Sequence, residues 1–467
     1  MTLLLIVALP VFGALLGLLA KRWASYISLV SLLAVIALTL TAYGWGEAAS
    51  SLEDLWLFEY KFQWLHFALD GLSFVLLLTA EALAAIGLVL SWNRPREQFY
   101  LLTTVAGLFG LLLSIDLLAF FIFWELMLLP VYFWVLQFGR EKRNFAALQF
   151  IIFTQASGLL LLASIVALFV LTGTTNSIEL MEIALPRSIE LWIASGFILA
   201  FLIKLPVFPF HTWMPSMFDD APKVAVISGL LLKTGAYGFL RFVLPMFPEI
   251  SAMLAPFMMC LGVISVIYGA VLAFAQKNPR KVLAYATLSH AGLMLMGLFS
   301  GNVLALNGVI VLMVTGVLAT AGLFISLELH LGFSIFFAMA SIGLPGLGNF
   351  IGEWLLLFGL FQQRPWTAIL GSLTLVLGAA YMLRLLIQLF YGENRPAADP
   401  AEFTNVKRVS CLLAAALLLW IGLSPAALLD LTVPAWTDAN AVSPELPDIE
   451  PPLPEPGNEL DEGATNV

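Results

Sequence analysis

Six ionisable side chains stand in stretches that are otherwise oily. Lys204 sits in an uncharged run from Trp192 to Phe210, and Lys233 lies between Val224 and Phe239. Glu125 falls in FFIFWELMLLP and Glu353 in NFIGEWLLLFG; His211 falls in PFHTW and His290 in TLSHAGLM. An unpaired lysine at the centre of a membrane helix costs about 2.5–3.5 kcal/mol, so such groups mark ion or proton paths by default. Amines, carboxylates and imidazoles in one apolar body can hand protons to one another. Burial and an opposing neighbour pull an amine in opposite senses, so Glu125 facing Lys204 would form a switchable pair.

The elements that must position these groups are helices with two interruptions. Pro206 and Pro209 remove backbone donors just beyond Lys204 and free the carbonyls of Leu202 and Leu205. Freed carbonyls at membrane depth persist only where protein or water satisfies them, so the break in KLPVFPF reads as hydrated. The second break is GLPGLGN, Gly343 to Asn349, four residues before Glu353.

The chain has 467 residues, 61% hydrophobic and only 11% charged, a composition that belongs to a polytopic membrane protein. Apolar runs long enough to span a bilayer fall at 2–20, 26–44, 71–92, 99–114, 116–137, 144–171, 189–213, 223–244, 252–275, 280–299, 303–328, 332–361, 366–391 and 409–428, giving about 14 helices. The expected fold is therefore all-α. Alternating the spans from an outer N-terminus places Lys21, Arg22, Arg94, Arg96, the 140–143 cluster, Lys223, Lys277, Arg280, Lys281, Arg395, Lys407 and Arg408 inside. Only Lys61, Arg187 and Arg364 fall outside, which predicts N-out and C-out. The same asymmetry asks for a helical hairpin turning at Glu328–Gly332.

Two consecutive blocks of five spans emerge, 99–244 and 252–392, each with its fourth member broken. An odd count inverts the second block against the first, the build of secondary transporters. Residues 1–98 form three leading spans, 409–428 a last one, and 429–467 an acidic, Pro-rich tail expected to be disordered. Thr2–Ala20 lacks a basic leader and reads as an uncleaved first span.

Each candidate also has a bland reading. Glu125 can be a protonated carboxyl bonded in a helix interface, His211 a packed cap on the broken helix, and His290 structural. His66 and His330 are expected at loops or span ends, solvated. Asp70 in LDGLS should cap a helix, and Arg241 and Arg384 can snorkel to an interface. Cys260 and Cys411, read as buried thiols far apart, exclude a disulfide framework, a zinc site and an iron–sulfur cluster. The absence of a basic, aromatic-laced patch argues against nucleic-acid binding. No cofactor or metal is expected in this chain.

The stretches FFIFWELMLLPVYF, FTQASGLLLL, KLPVFPFHTWMP, LLLKTGAYGFLRF, YATLSHAGLM and GLPGLGNFIGEWLLLFG resemble the antiporter-like membrane subunits of respiratory complex I, above all the subunit M (ND4-type) family. The resemblance covers roughly residues 65–395. It implies proton translocation driven by quinone reduction in other subunits, partners among the membrane subunits and the peripheral NADH-oxidising arm, and a bacterial inner membrane. It also implies roles for matching residues. Glu125 stands for the family's essential glutamate, Lys204 and Lys233 for its two lysines, Glu353 for the acidic exit residue, and His211 and His290 for histidines of the hydrated axis. Three departures stand out. Phe218 and Gly316 occupy positions where the family usually carries histidine, and LELHLG replaces a longer polar loop. A Mrp-type or hydrogenase-associated antiporter subunit shares these motifs, and a non-conducting spacer is the reading outside transport.

Overall fold

The computed structural model describes residues 2–45, 53–56, 63–327, 331–391 and 405–432. Helix α1 (Thr2–Leu19) leads through a 3-10 turn, Lys21–Trp23, into α2 (Ala24–Trp45). Strands β1 (Glu53–Trp56) and β2 (Gln63–Phe67) pair antiparallel, Glu53 opposite Phe67. This hairpin corrects the expectation of a purely helical chain. Its end is stitched to the turn that follows Leu113: the Ala68 N–H donates to Leu113 O (2.8 Å) and the Ile115 N–H to His66 O (3.1 Å). His66 is buried there, not solvated. His330 and the turn's residues 328–330 lie outside the described residues, as does the tail beyond Thr432.

Helices α3 (Gly71–Leu90) and α4 (Pro95–Leu113) follow, then α5 (Leu117–Leu126) and α6 (Leu128–Phe138), which form one passage with a step at Met127. Pro130 explains the step, because it removes the donor that would meet the Leu126 carbonyl. Helix α7 (Arg143–Thr172) ends on Gly173, whose φ of +79° is a left-handed cap that suits glycine. Short α8 (Ser177–Met181) precedes α9 (Arg187–Lys204) and α10 (Trp213–Asp220). The passage expected over 189–213 thus stops at Lys204, where the two prolines act, and resumes only at Trp213. Helix α11 (Pro222–Gly238) runs through a π-helical turn, Phe239–Val243, into α12 (Leu244–Met246).

The second half holds α13 (Pro248–Ala275), α14 (Pro279–Leu298), α15 (Val303–Ser326), α16 (Leu331–Ile342), α17 (Gly348–Gln363) and α18 (Pro365–Tyr391). Last come α19 (Asn405–Leu423) and α20 (Ala426–Thr432), bent 79° to each other. Proline opens α4, α11, α13 and α14, where its missing donor and fixed φ cost nothing. Side chains of Asp70, Asp116, Asn278 and Asn302 cap α3, α5, α14 and α15. Helices α15 and α16 fold back on one another. Gly322 is pressed by the Phe337 ring, and Ser334 Oγ donates to Ser326 O at 3.0 Å. In one straight helix, 15 residues would separate Gly322 from Phe337 by about 22 Å.

Among the described residues nine helices are long and apolar enough to cross a membrane, ten if α19 and α20 count as one passage. The helices carrying Lys204, Lys233 and Glu353 are not among the nine. Helix α9 also holds Arg187 and Glu190, and α11 and α17 are short. Burial separates an inner from an outer layer. In α15, 89% of the apolar window is enclosed, against 28% for the α2 segment. Cys260 lies on an exposed face of α13, not in the interior as expected, while Cys411 is buried.

One polar corner ties α3, α4 and the π-helical turn together. Asp70 Oδ1 accepts from the Ser73 N–H (2.8 Å), and its other oxygen pairs with Arg241. Ser73 Oγ and Tyr237 Oη both donate to Leu112 O, at 2.7 and 2.8 Å. Arg241 therefore does not snorkel; it neutralises the cap. Asp70→Ala removes cap and counter-charge together and is expected to cost about 1–3 kcal/mol. Thermal inactivation of the detergent-purified assembly should quicken, and an unchanged inactivation temperature would contradict this role. Arg384 donates to Phe274 O and lies 4.5 Å over the Phe274 ring, a cap on the last turn of α13.

Candidate functional site

The first cluster forms where α5, α7 and α9 meet. Lys204, the last residue of α9, is 1% exposed. Its Nζ lies 4.8 Å from the centroid of the Trp124 ring, a cation–π distance, and has no hydrogen-bond acceptor among the described residues. Next to that tryptophan is Glu125, half-buried, whose Oε2 accepts from Gln155 Nε2 at 3.1 Å. Glu125 and Lys204 interact electrostatically, a juxtaposition that the sequence left open. Small residues make the approach possible. A side chain at Gly158 would run into the Glu125 carboxylate, and Ser157 Oγ fastens α7 to α9 through Ala200 O at 2.9 Å.

Past Lys204 the chain is non-helical until Trp213, whose indole N–H donates to Ile203 O at 3.3 Å across the break. Helix α11 crosses directly over it. A Cβ at Gly235 would sit 2.6 Å from both Leu205 N and Phe201 O, so only glycine lets α11 press on the break. His211 lies within the break, 4% exposed, among the rings of Phe208, Tyr268 and Tyr285. The aromatic ring set fits a packed histidine as readily as a relay.

The second cluster spans α11, α14 and α17. Lys233, 5% exposed, donates from Nζ to Met294 Sδ at 3.1 Å, and it interacts electrostatically with His290, one helical turn earlier on α14. His290 Nδ1 lies 3.6 Å from Glu353 Oε1. Glu353 is 2% exposed and its Oε2 presses against Gly343, which bends the second break with φ +79°. The structure thus joins Glu125 with Lys204, and Lys233 with His290 and Glu353. Phe218 is a packing residue, fully buried edge-to-face with Phe324 at 5.1 Å.

Three further buried groups lie outside the residues singled out by charge and motif. Asn349 and Tyr381 are buried polar side chains near Glu353, Tyr381 within its electrostatic range. Neither carries charge, so neither stands out in a hydropathy scan. Glu81 does: a lone acid in TAEALAA of α3, 2% exposed, accepting from Thr39 Oγ1 at 2.6 Å. It ties α2 to α3 and lies outside the two clusters.

Comparison with known proteins accords with this arrangement. Residues 114–332 match the family model for the NADH:quinone oxidoreductase/Mrp antiporter transmembrane region. The chain is 35% identical to NADH-quinone oxidoreductase subunit M of Pseudomonas aeruginosa, over 88% of this chain and 91% of that one. It is 34% identical to subunit M of Escherichia coli K12, over 89% and 91%. Its fold superposes on a chain of respiratory complex I from Thermus thermophilus with a TM-score of 0.84, at 28% identity and with 94% of this chain covered. A chain of the Mrp complex from Dietzia shares the fold alone, with a TM-score of 0.82 at 21% identity. The chain belongs to the NADH:quinone oxidoreductase/Mrp antiporter membrane-subunit family and, within it, to subunit M of NADH-quinone oxidoreductase.

Proposed function

We propose that this chain is the proton-translocating, antiporter-like subunit of a complex I, with no redox centre of its own, working in a bacterial inner membrane beside other membrane subunits. One observation supports the reading: two clusters of ionisable side chains, Glu125 with Lys204 and Lys233 with His290 and Glu353, stand beside the two helix breaks in a body otherwise built of oil. The Lys204 amine is loaded under the influence of Glu125. Charge then passes to Lys233, on to His290 and out through Glu353, with His211 serving the hydrated break. About 14 crossings arranged N-out and C-out, with blocks 99–244 and 252–392 inverted against each other, give each half one broken helix and one lysine or acid at its centre. Quinone reduction in other subunits supplies the driving force.

Purification from the native membrane tests the assignment. Flavin and iron–sulfur chains should copurify, and NADH oxidation by the reconstituted assembly should acidify the vesicle lumen. Copurification with small membrane chains alone would replace this reading by a Mrp-type antiporter. Sodium uptake without proton movement would overturn the choice of ion.

A further inference from the structure

A buried acid stands apart from both clusters. Glu81 lies midway along α3, 2% exposed, with α2 packed over it. Its Oε1 accepts from Thr39 Oγ1 at 2.6 Å, while Oε2 is sealed from solvent and has no hydrogen-bond partner among the described residues. The charged groups on the helices packed against α3 do not act on it. Glu97 of α4 pairs with Arg94 and Lys223, Arg96 is exposed, and Lys233 of α11 turns to Met294. Lys407 and Arg408 of α19 and Asp430 of α20 are out of range. An ionised carboxylate enclosed without a cation costs several kcal/mol, so in this arrangement Glu81 is the neutral acid. A hard metal ion would ask for about six oxygens. Glu81 and Thr39 together offer three, which suits a proton. A glutamine would accept the Thr39 hydroxyl equally well at every pH; only an acid makes this contact conditional.

The seam between α2 and α3 has one short way in. Among the nine long apolar helices of the described residues, the α2 segment is the least enclosed, at 28%. One turn beyond Thr39, Tyr43 stacks on Phe74, with ring centroids 3.9 Å apart and planes 11° from parallel. Phe74 stands two turns before Glu81 on the same face of α3. This aromatic pair closes the end of the seam where α3 begins, and from Thr39 to the end of α2 is only about 9 Å. In the other direction the buried Val35 and Leu32 continue the apolar packing.

We propose that Glu81 is a proton-binding site separate from the translocation path, and that its proton latches α2 onto α3. While the seam is closed the proton stays on the carboxyl. When α2 lifts past the Tyr43–Phe74 pair, the carboxyl O–H bond breaks and its proton passes to water at that end. The carboxylate left behind is hydrated and resists reburial until it takes a proton back. The closed form thus binds one proton more than the open form, and closure weakens as pH rises above the ordinary carboxylate range, about tenfold per unit. None of this depends on the roles of Lys204, Lys233 or Glu353.

Amide hydrogen exchange in the intact assembly, held in nanodiscs, reads the latch. Protection of the peptide covering Val35 to Trp45, corrected for the intrinsic effect of pH, should fall about tenfold per pH unit on the alkaline side. A peptide from α15 serves as the unchanging reference. Glu81→Gln has no proton to release and should keep its protection level across the same range, whereas Glu81→Asp keeps an acid and should restore the dependence. Both variants should move protons per NADH oxidised as the wild type does. A wild-type seam indifferent to pH, or a glutamine variant that loosens as the wild type does, would overturn the latch. Loss of proton movement in the glutamine variant would overturn the separateness of the site and place Glu81 within the path.

Discussion

Lys204→Ala should leave the complex assembled and stop proton translocation, with a fall of about a hundredfold or more. The side chain holds little structure. Its Nζ touches the Trp124 ring and attracts Glu125, while the end of α9 is fixed by other bonds, Ser157 to Ala200 O and Trp213 to Ile203 O. Lys204→Arg sharpens the experiment. A guanidinium keeps the positive charge but does not release its proton under any condition a protein experiences. If Lys204 acts as a carrier, arginine should be as inactive as alanine. If it acts only as a fixed charge steering other groups, arginine should work. Proton uptake into vesicles by the purified complex, normalised to subunit content, reads the difference. Wild-type pumping by the alanine variant would remove Lys204 from the mechanism.

Glu353→Gln should be the second severe lesion, again about a hundredfold in proton movement. The amide matches the carboxyl in shape and fits the same slot against Gly343, so the fold of α17 should be untouched. What is lost is a group able to take the proton from His290 Nδ1, 3.6 Å away. A structural spacer would tolerate this change, because an amide hydrogen-bonds as well as a protonated acid does. Normal pumping by the glutamine variant would therefore favour the spacer. Glu353→Asp, which keeps the chemistry but shortens the reach, should fall between the two.

The parts of this path that could be read from the residues are those where physics penalises the residue type. A lysine or glutamate in oil, and a proline in a helix, are each visible one letter at a time. That is why Lys204, Lys233, Glu353 and both interruptions were legible, with helix edges mostly within a few residues of the apolar runs. The extent of the first interruption was not. Two prolines show where a helix must stop but not where it resumes, and the chain stays non-helical as far as Thr212. Partners across space were beyond reach too. Nothing local shows that Asp70 would meet Arg241, or that His66 would be sealed under the turn after α4. Glu81 is a different case. It obeys the same rule as Glu125 and was legible in TAEALAA. What sequence could not supply was its separation from the two clusters, since its bond runs to Thr39 on α2.

The end of α20 offers a practical lever. The Leu431 carbonyl rests directly on Gly71, and a Cβ there would have no place to go. Whatever is attached after Thr432 must leave the molecule beside the first turn of α3. A reporter enzyme fused at that point and one inserted ahead of Asp70 should consequently light up in the same compartment. Accessibility of both to a protease added from one side would reveal which way up the whole subunit sits.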